Sequence, residues 1–184
     1  MESVTSNYIK KLSFLILVSI CLGKTVEGAS MSLFSKEKHE VVVSSPFEGV
    51  ITYKGKPAAG AKVERTLKWK DEDGEKDSVE TDLDGRFFLP IVEDTVSLSP
   101  ITQFVMGQEI KVYFNNEEYL IWTIGKDSRV IYGELGGVPK NLRCELTDEL
   151  VAVDVEDALL GTSCKWDAIN KENQEVLSSN SKAT

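Results

Sequence analysis

Residues 47–91 read FEGVITYKGKPAAGAKVERTLKWKDEDGEKDSVETDLDGRFFLPI, and this stretch decides the fold. Apolar and polar residues alternate along it with a period of two, which is typical of β-strands that bury one face. The first segment, residues 47–54, has on one side Phe47, Gly49, Ile51 and Tyr53. The second segment has on one face Ala61, Val63, Leu67 and Trp69, and on the other Lys62, Glu64, Thr66, Lys68 and Lys70.

Turn-forming residues separate these segments. Gly55-Lys56-Pro57 follows the first segment, and residues 71–75 form a polar tip after the second. Glycine supplies a positive φ without steric cost, and proline presets φ for a turn. The dipeptide Asp84-Gly85 separates residues 79–81 from residues 87–89, which is a short hairpin signal.

Four motifs in this stretch point to a known family. They are Gly49-Val50, Gly55-Lys56-Pro57, Gly60-Ala61-Lys62-Val63 and Thr81-Asp82-Leu83-Asp84-Gly85-Arg86-Phe87. Together they resemble the carboxypeptidase regulatory-like domain, a small transthyretin-like β-sandwich that is common in bacterial envelope proteins. The chain also resembles one of the uncharacterised bacterial families, of unknown function, that are built on that domain. The resemblance implies an all-β, transthyretin-like or immunoglobulin-like sandwich. It also implies a non-catalytic accessory, adhesion or binding module.

The N-terminus has the features of a secretory signal. Two lysines precede the apolar run Leu12–Leu22, which is shorter than the ~20 residues of a spanning helix but suits a signal h-region. We predict a signal peptide over residues 1–28 and a mature chain that begins at Ala29. A retained anchor is one alternative. Lipidation of Cys21 is another, which Ile20 disfavours because lipoprotein signals place a small residue there.

The rest of the chain divides by composition. Residues 29–45 predict a loose segment that is polar over residues 30–40, within which His39-Glu40-Val41-Val42-Val43 favours the start of a strand that Ser44-Ser45-Pro46 ends. Residues 46–168 predict a β-sandwich domain, and residues 169–184 a disordered tail too polar to bury apolar surface. Residues 119–124 are apolar on both sides. They predict a central strand covered on both faces, or a buried helical turn.

Two cysteines remain after the predicted cleavage, Cys144 and Cys164. An even number of cysteines in an exported chain predicts a disulfide. Cys144 alternates with polar neighbours as an inward residue of a late strand, and Cys164 lies beside Trp166. Two buried free thiols are the alternative.

The charge balance bears on partners. With 21 basic and 30 acidic residues the chain has a net charge of −9, which argues against DNA or RNA, because phosphate binding requires a concentrated positive field. The negative charge is compatible with a basic protein partner. The alternative is that the charge only keeps the protein soluble. The signal predicts a periplasmic or secreted protein with no membrane span after cleavage.

The chain lacks the usual signs of catalysis. Its only histidine, His39, lies in the loose N-terminal segment, and no G-x-S-x-G motif presents a serine. We therefore expect no catalytic residues, no cofactor and no enzymatic activity.

Two weak binding candidates remain. Asp71, Asp73, Glu75 and Asp77 alternate around Gly74 and offer oxygen ligands for calcium, but Gly74 does not fall where an EF-hand loop requires glycine. A solvated hairpin tip is the alternative for this cluster. Trp122 is a candidate for a binding surface, whereas Trp69 is expected in the core.

The sequence thus predicts a non-catalytic exported binding module whose ligand is another protein. Two alternatives from other classes remain open. One is an acidic immunity-type inhibitor of a toxin that acts in the envelope, which the export and the charge would also suit. The other is a hydrolase, which the sequence disfavours because no suitably placed base is evident.

Overall fold

A computed structural model describes residues 36–155 and 158–167. These residues form strands and one 3₁₀ turn (Gly133–Leu135), and no α-helix lies within the two ranges. The strands are β1 (Glu37–Ser44), β2 (Phe47–Tyr53), β3 (Lys56–Pro57), β4 (Lys62–Lys68), β5 (Glu75–Glu80), β6 (Arg86–Leu89), β7 (Val92–Leu98), β8 (Met106–Phe114), β9 (Glu117–Lys126), β10 (Arg143–Glu145), β11 (Val151–Val155), β12 (Ala158–Thr162) and β13 (Cys164–Lys165).

The strands form two facing sheets and a separate ribbon. The first sheet has the order β11-β12-β9-β8-β4-β5, and all neighbours in it are antiparallel. The second has the order β13-β10-β2-β3, with β6 also paired to β2, and its β2–β10 pair is parallel. Strands β1 and β7 form the ribbon. The prediction of an all-β sandwich is confirmed.

The main core fills the space between the two sheets. Ile51 of the second sheet and Val63, Ile110 and Leu160 of the first are fully buried in one cluster. A smaller cluster lies under the ribbon and includes Val43. Most of the longer strands contribute alternate residues to these clusters, as the period of two predicts.

The Asp84-Gly85 turn does not join a hairpin, so that prediction is wrong. Strand β5 pairs with β4 in the first sheet, whereas β6 pairs with β2 in the second. The turn therefore carries the chain from one sheet to the other. Gly85 has φ +76°, its carbonyl accepts a hydrogen bond from the Ile51 N–H at 2.8 Å, and a Cβ there would collide with the Ile51 carbonyl oxygen. Glycine is required at this crossing.

Strand β9 explains the doubly apolar run at residues 119–124. Ile110 faces Trp122, but the next residue, Lys111, faces Leu120, so Ile121 is an extra residue in β9. This β-bulge shifts the alternation and allows Ile121 and Trp122 both to be buried, while Leu120 is 38% exposed. The run is a strand, as predicted, but it is not covered on both faces.

The prediction of a loose segment over residues 29–45 is wrong for Glu37–Ser44, which form β1, and the strand start predicted at residues 39–43 lies within this strand. Strand β1 pairs antiparallel with β7, with an irregularity between Val42 and Ser44. Val41 and Val43 are buried in the smaller core cluster, and this burial supplies the free energy that orders the strand. The predicted signal peptide (residues 1–28) and disordered tail (residues 169–184) lie outside the described residues.

The predicted disulfide joins Cys144 to Cys164. The two cysteines face each other across the antiparallel pair β10–β13, and both are buried. The disulfide fastens the last described strand to β10, and through β10 to β2 at the middle of the second sheet.

Candidate functional site

An open cleft of about 1010 Å³ lies against the second sheet. We call it the sheet cleft. It is lined by Glu48, Gly49, Val50, Val79, Glu80, Asp82, Arg86, Phe87, Phe88 and residues 138–143. Strands β2, β5, β6 and β10 supply most of these residues, and the loop that leads into β10 supplies residues 138–142.

Cross-strand register aligns two arginines in this cleft. Val50 of β2 lies opposite Arg86 of β6 on one side and opposite Arg143 of β10 on the other. Residues opposite one another in a sheet share a face, so both arginine side chains leave the outer face on either side of Val50. Two strand spacings separate their backbones by about 10 Å.

The two guanidinium groups have no partner within the described part of the chain. Most of the ion-paired cations lie elsewhere, as Lys111 with Glu118 at 2.6 Å and Arg65 with Asp77 at 2.6 Å illustrate. Lys165 extends the same row beyond Arg143, but its Nζ is 2.8 Å from Asp148. Arg86 and Arg143 are both exposed and therefore remain available to an outside anion.

A short turn fixes the position of Arg86. Asp82 Oδ1 accepts hydrogen bonds from the backbone N–H groups of Asp84 at 2.9 Å and Arg86 at 2.8 Å. The Asp82 N–H in turn donates to the Arg86 carbonyl at 2.9 Å. Aspartate is suited to this role because its short carboxylate reaches backbone groups two residues on. The strand β6 therefore begins at a defined point.

The next pair of facing residues on β6 and β2, beside the pair Arg86–Val50, combines an apolar and an acidic side chain. Phe88 of β6 lies opposite Glu48 of β2, and the ring of Phe88 is 53% exposed. Val138 on the far wall is 50% exposed. The adjacent Phe87 points inward and packs on Phe47, with ring centroids 5.6 Å apart. The cleft thus offers apolar contact beside two unpaired cations.

Hydrogen bonds hold the start of the neighbouring β2–β3 turn. The Glu145 carboxylate accepts hydrogen bonds from the N–H groups of Lys54 at 2.8 Å, Gly55 at 2.9 Å and Thr147 at 3.1 Å, and from the Thr147 hydroxyl at 2.6 Å. Partial burial raises the pKa of Glu145, but the bonds from Thr147, Gly55 and Lys54 outweigh it and lower the pKa to about 2. The Glu145 carboxylate therefore stabilises the turn.

The predicted calcium ligands do not converge. Asp71 Oδ1 accepts the Gly74 N–H at 2.9 Å, Glu75 pairs with Lys70 at 3.3 Å, and both oxygens of Asp77 bind Arg65. Asp73 is exposed in the turn. Within the described residues, no three His, Cys, Asp or Glu side chains are arranged to hold a metal ion. The cluster is a hairpin tip between β4 and β5.

Trp122 is a core residue, which corrects the prediction of a binding surface. Its side chain is 2% exposed and packs between Phe47 and Trp166, with ring centroids 4.8 and 5.5 Å away. The bulge in β9 turns it inward. Trp69, predicted in the core, is half-buried against the smaller cluster, and its indole N–H donates to Asp94 at 2.8 Å. His39 lies on β1, opposite Val96.

Sequence reasoning missed a buried polar layer between the two core clusters. Arg65 is fully buried and donates to Asp77, to Ser44 Oγ at 2.9 Å and to the Pro90 carbonyl at 2.9 Å. Its position between Val63 and Leu67 was the available signal, because strict alternation turns it inward.

A second buried ion pair lies nearby. Lys126 Nζ is 3.1 Å from Glu134 Oε2, and the two side chains are 1% and 6% exposed. Ser45 joins the pair through a contact of 3.5 Å from its Oγ to Glu134 Oε1, and it accepts the Tyr132 N–H at 2.8 Å. This network ties the 3₁₀ turn to the segment between β1 and β2.

The described residues contain no membrane-spanning helix. None of the helical segments in residues 36–155 and 158–167 has the length and apolar character needed to cross a membrane.

Comparison with known proteins assigns the chain to a family. No curated protein and no solved structure matches the chain significantly. One family model, described as a domain of unknown function, matches residues 47–149, which is more than half of the chain. The chain therefore belongs to the DUF6795 family.

Proposed function

We propose that this chain is a non-catalytic exported binding module that recognises another protein through the sheet cleft. The observation that carries the proposal is the exposed ring of Phe88 beside two arginines without partners, Arg86 and Arg143. Aromatic residues and arginine are enriched in protein interfaces and among the residues that dominate binding energy. Because strands carry these side chains, the spacing of their backbone positions is set before a partner arrives.

Export is part of the same proposal. The apolar run Leu12–Leu22 supports a signal peptide, and the disulfide Cys144–Cys164 suits an oxidising compartment. These two features support periplasmic or secreted localisation. We test it by cell fractionation and by the N-terminal mass of the mature protein. Cytoplasmic protein with an intact N-terminus would contradict export.

We also propose a transthyretin-like ancestry of the carboxypeptidase regulatory-like type. Its support is the sandwich architecture together with the turn glycines Gly55, Gly60 and Gly85, which all have φ between +72° and +76°. Such turns constrain the backbone but carry no chemistry. The ancestry therefore agrees with a scaffold whose function depends on its surface.

Site-specific photocrosslinking tests the binding function. A p-benzoylphenylalanine at position 88 is compared with the same residue at position 159, where Leu159 is 63% exposed on the first sheet. In the native cells we expect discrete protein adducts from position 88 and none from position 159. If position 88 yields no adduct, or if both positions yield the same adducts, the proposed function is wrong.

A further inference from the structure

We propose that Arg86 and Arg143 form a two-armed clamp for a single carboxylate within an extended, sparsely acidic segment of the partner protein. This inference rests on the proposed function and specifies the partner's chemistry. The clamp centres on Val50, which is half-buried and lies between the two arginines in one cross-strand row. Each arginine has a side chain long enough to lean over Val50.

The geometry favours a single anion over Val50. Backbones about 10 Å apart leave room for a carboxylate that accepts hydrogen bonds from both guanidinium groups. Both groups lack an internal partner among the described residues, so no ion pair has to be broken before binding. Lys165, the third cation of the row, is held by Asp148 and contributes less.

The cleft's own acids limit the kind of anion. Glu48 and Glu80 line the same cleft as the two arginines, and the chain has a net charge of −9. A polyanion such as nucleic acid would meet these carboxylates and be repelled. One isolated carboxylate brings a single negative charge to the cleft, where two arginines lie closer to it in the cross-strand row than these acids do. The cleft therefore selects a sparsely acidic protein segment.

The next row specifies the neighbouring residue of the ligand. Phe88 and Glu48 lie two residues along their strands from Arg86 and Val50. In an extended ligand, residues i and i+2 also share a face, at a spacing of about 6.6 Å. The residue two positions from the ligand's acid would pack on Phe88 and pass over Glu48. An apolar residue fits there, whereas a second acid does not.

Short peptides test this ligand class by NMR titration of the full chain. The probes are acetyl-Thr-Glu-Thr-Leu-Thr-amide and the reversed order acetyl-Thr-Leu-Thr-Glu-Thr-amide. The matched controls replace Glu by Gln, or Leu by a second Glu. We expect at least one Glu–Leu probe to shift the amide signals of Val50, Arg86 and Arg143, and to bind at least tenfold more tightly than its Gln control and more tightly than the double-Glu control. Equal binding by the Gln control would overturn the clamp. Inorganic phosphate or an RNA oligonucleotide that binds the same residues as tightly as the probe would overturn the choice of ligand.

Three variants locate the effect. Arg86→Gln and Arg143→Gln should each weaken binding of the better probe at least tenfold. Arg86→Lys should have an intermediate effect, because lysine keeps the positive charge but lacks the planar guanidinium group that binds a carboxylate with two parallel hydrogen bonds. The matched control is Arg129→Gln, an exposed arginine outside the cleft, which should leave binding unchanged. The substituted side chains are exposed, so the amide spectrum should otherwise keep its dispersion. Unchanged binding in both glutamine variants would refute the clamp.

The two proposals fail separately. If the adduct from position 88 persists in the double variant Arg86→Gln/Arg143→Gln, and the peptides do not discriminate Glu from Gln, the binding function stands and the clamp is wrong. If position 88 yields no adduct at all, the binding function itself is wrong, whatever the peptides do.

Discussion

Removing Asp77 should destabilise the protein more than removing both Asp77 and its partner Arg65. The Arg65 side chain is fully buried, and its Nε and Nη2 bind the two Asp77 oxygens at 2.9 and 2.6 Å. Asp77→Ala leaves a buried positive charge without its counter-ion. Arg65→Met/Asp77→Ala removes both charges and places an apolar chain between Val63 and Leu67, which are buried neighbours on the same face.

The structure sets the size of this difference. Losing one partner of a buried ion pair costs roughly 3–5 kcal/mol, but the Asp77 side chain is 40% exposed, so water can reach the guanidinium and we expect about 2–3 kcal/mol. The double variant leaves the Pro90 carbonyl without its donor, at a cost of about 1–2 kcal/mol. Ser44 loses Arg65 but keeps its contact with Gln108 at 3.2 Å. The double variant should be the more stable by about 1 kcal/mol.

Urea unfolding followed by tryptophan fluorescence measures both variants, because the buried Trp122 and Trp166 report loss of the core. Glu80→Ala is the control, since Glu80 is an exposed acid on the same strand, β5. It should change the free energy of unfolding by no more than about 0.5 kcal/mol. If the double variant is less stable than Asp77→Ala, the buried charge is not what makes Asp77 necessary, and the reasoning is refuted.

Three further predictions of stability follow from the same structure. Replacing both Cys144 and Cys164 by Ala should lower the free energy of unfolding by ~3 kcal/mol, because the disulfide closes a loop with a sequence separation of 20; a urea midpoint equal to that of the wild type would contradict this. Glu145 has its pKa lowered from 4.5 to about 2 in the folded state, so its contribution to stability is present above pH 4.5 and is lost as the pH falls towards 2. The loss of stability caused by Glu145→Gln, measured by urea unfolding across this pH range, should therefore become smaller with acidification. A loss that stays constant would contradict the assignment. Gly85→Ala should lower the free energy of unfolding more than Gly55→Ala, because both glycines have positive φ but only Gly85 lies against backbone atoms. Gly55→Ala should lower it by about 1 kcal/mol. Similar urea midpoints for the two variants would contradict the close approach at Gly85.

The parts of the fold that depend on local pattern could be predicted from the sequence. The alternation in residues 47–53 gives β2 and its buried face, and the asparagines Asn115 and Asn116 give the β8–β9 turn, where both adopt positive φ. The disulfide could be predicted because the predicted export and the even number of remaining cysteines limit the choices. Each of these inferences depends only on residues that are close in sequence or on the number of cysteines.

Pairing between distant strands could not be predicted in the same way. Strands β5 and β6 are adjacent in sequence and flank a turn, yet they belong to different sheets, because the burial of Phe87 and Leu89 against β2 outweighs the local hairpin signal. The parallel pair β2–β10 brings Arg143 to Val50, and nothing in either segment alone indicates this. The sheet cleft depends on both of these pairings.

Arg65 illustrates a different limit. Its position in β4 turns it inward, but a charged residue conflicts with the expectation that inward positions are apolar. The conflict is resolved by partners on β5, on β1 and after β6, none of which is close in sequence. A buried charge can be predicted only when its partners can be predicted, and these depend on the complete topology.

The same topology connects stability to recognition in the second sheet. Arg143 directly precedes Cys144, so the disulfide that fastens β13 to β10 also holds one arm of the proposed clamp. The other arm, Arg86, directly follows Gly85, whose carbonyl is bound to Ile51 of β2. Since the backbones of both arms are anchored to β2 next to buried residues, little backbone conformational entropy is lost when a ligand binds between them. The spacing of the two arginines is therefore set by the packing of the sandwich, and a change that loosens β10 or the Gly85 turn should weaken the clamp without touching either guanidinium group.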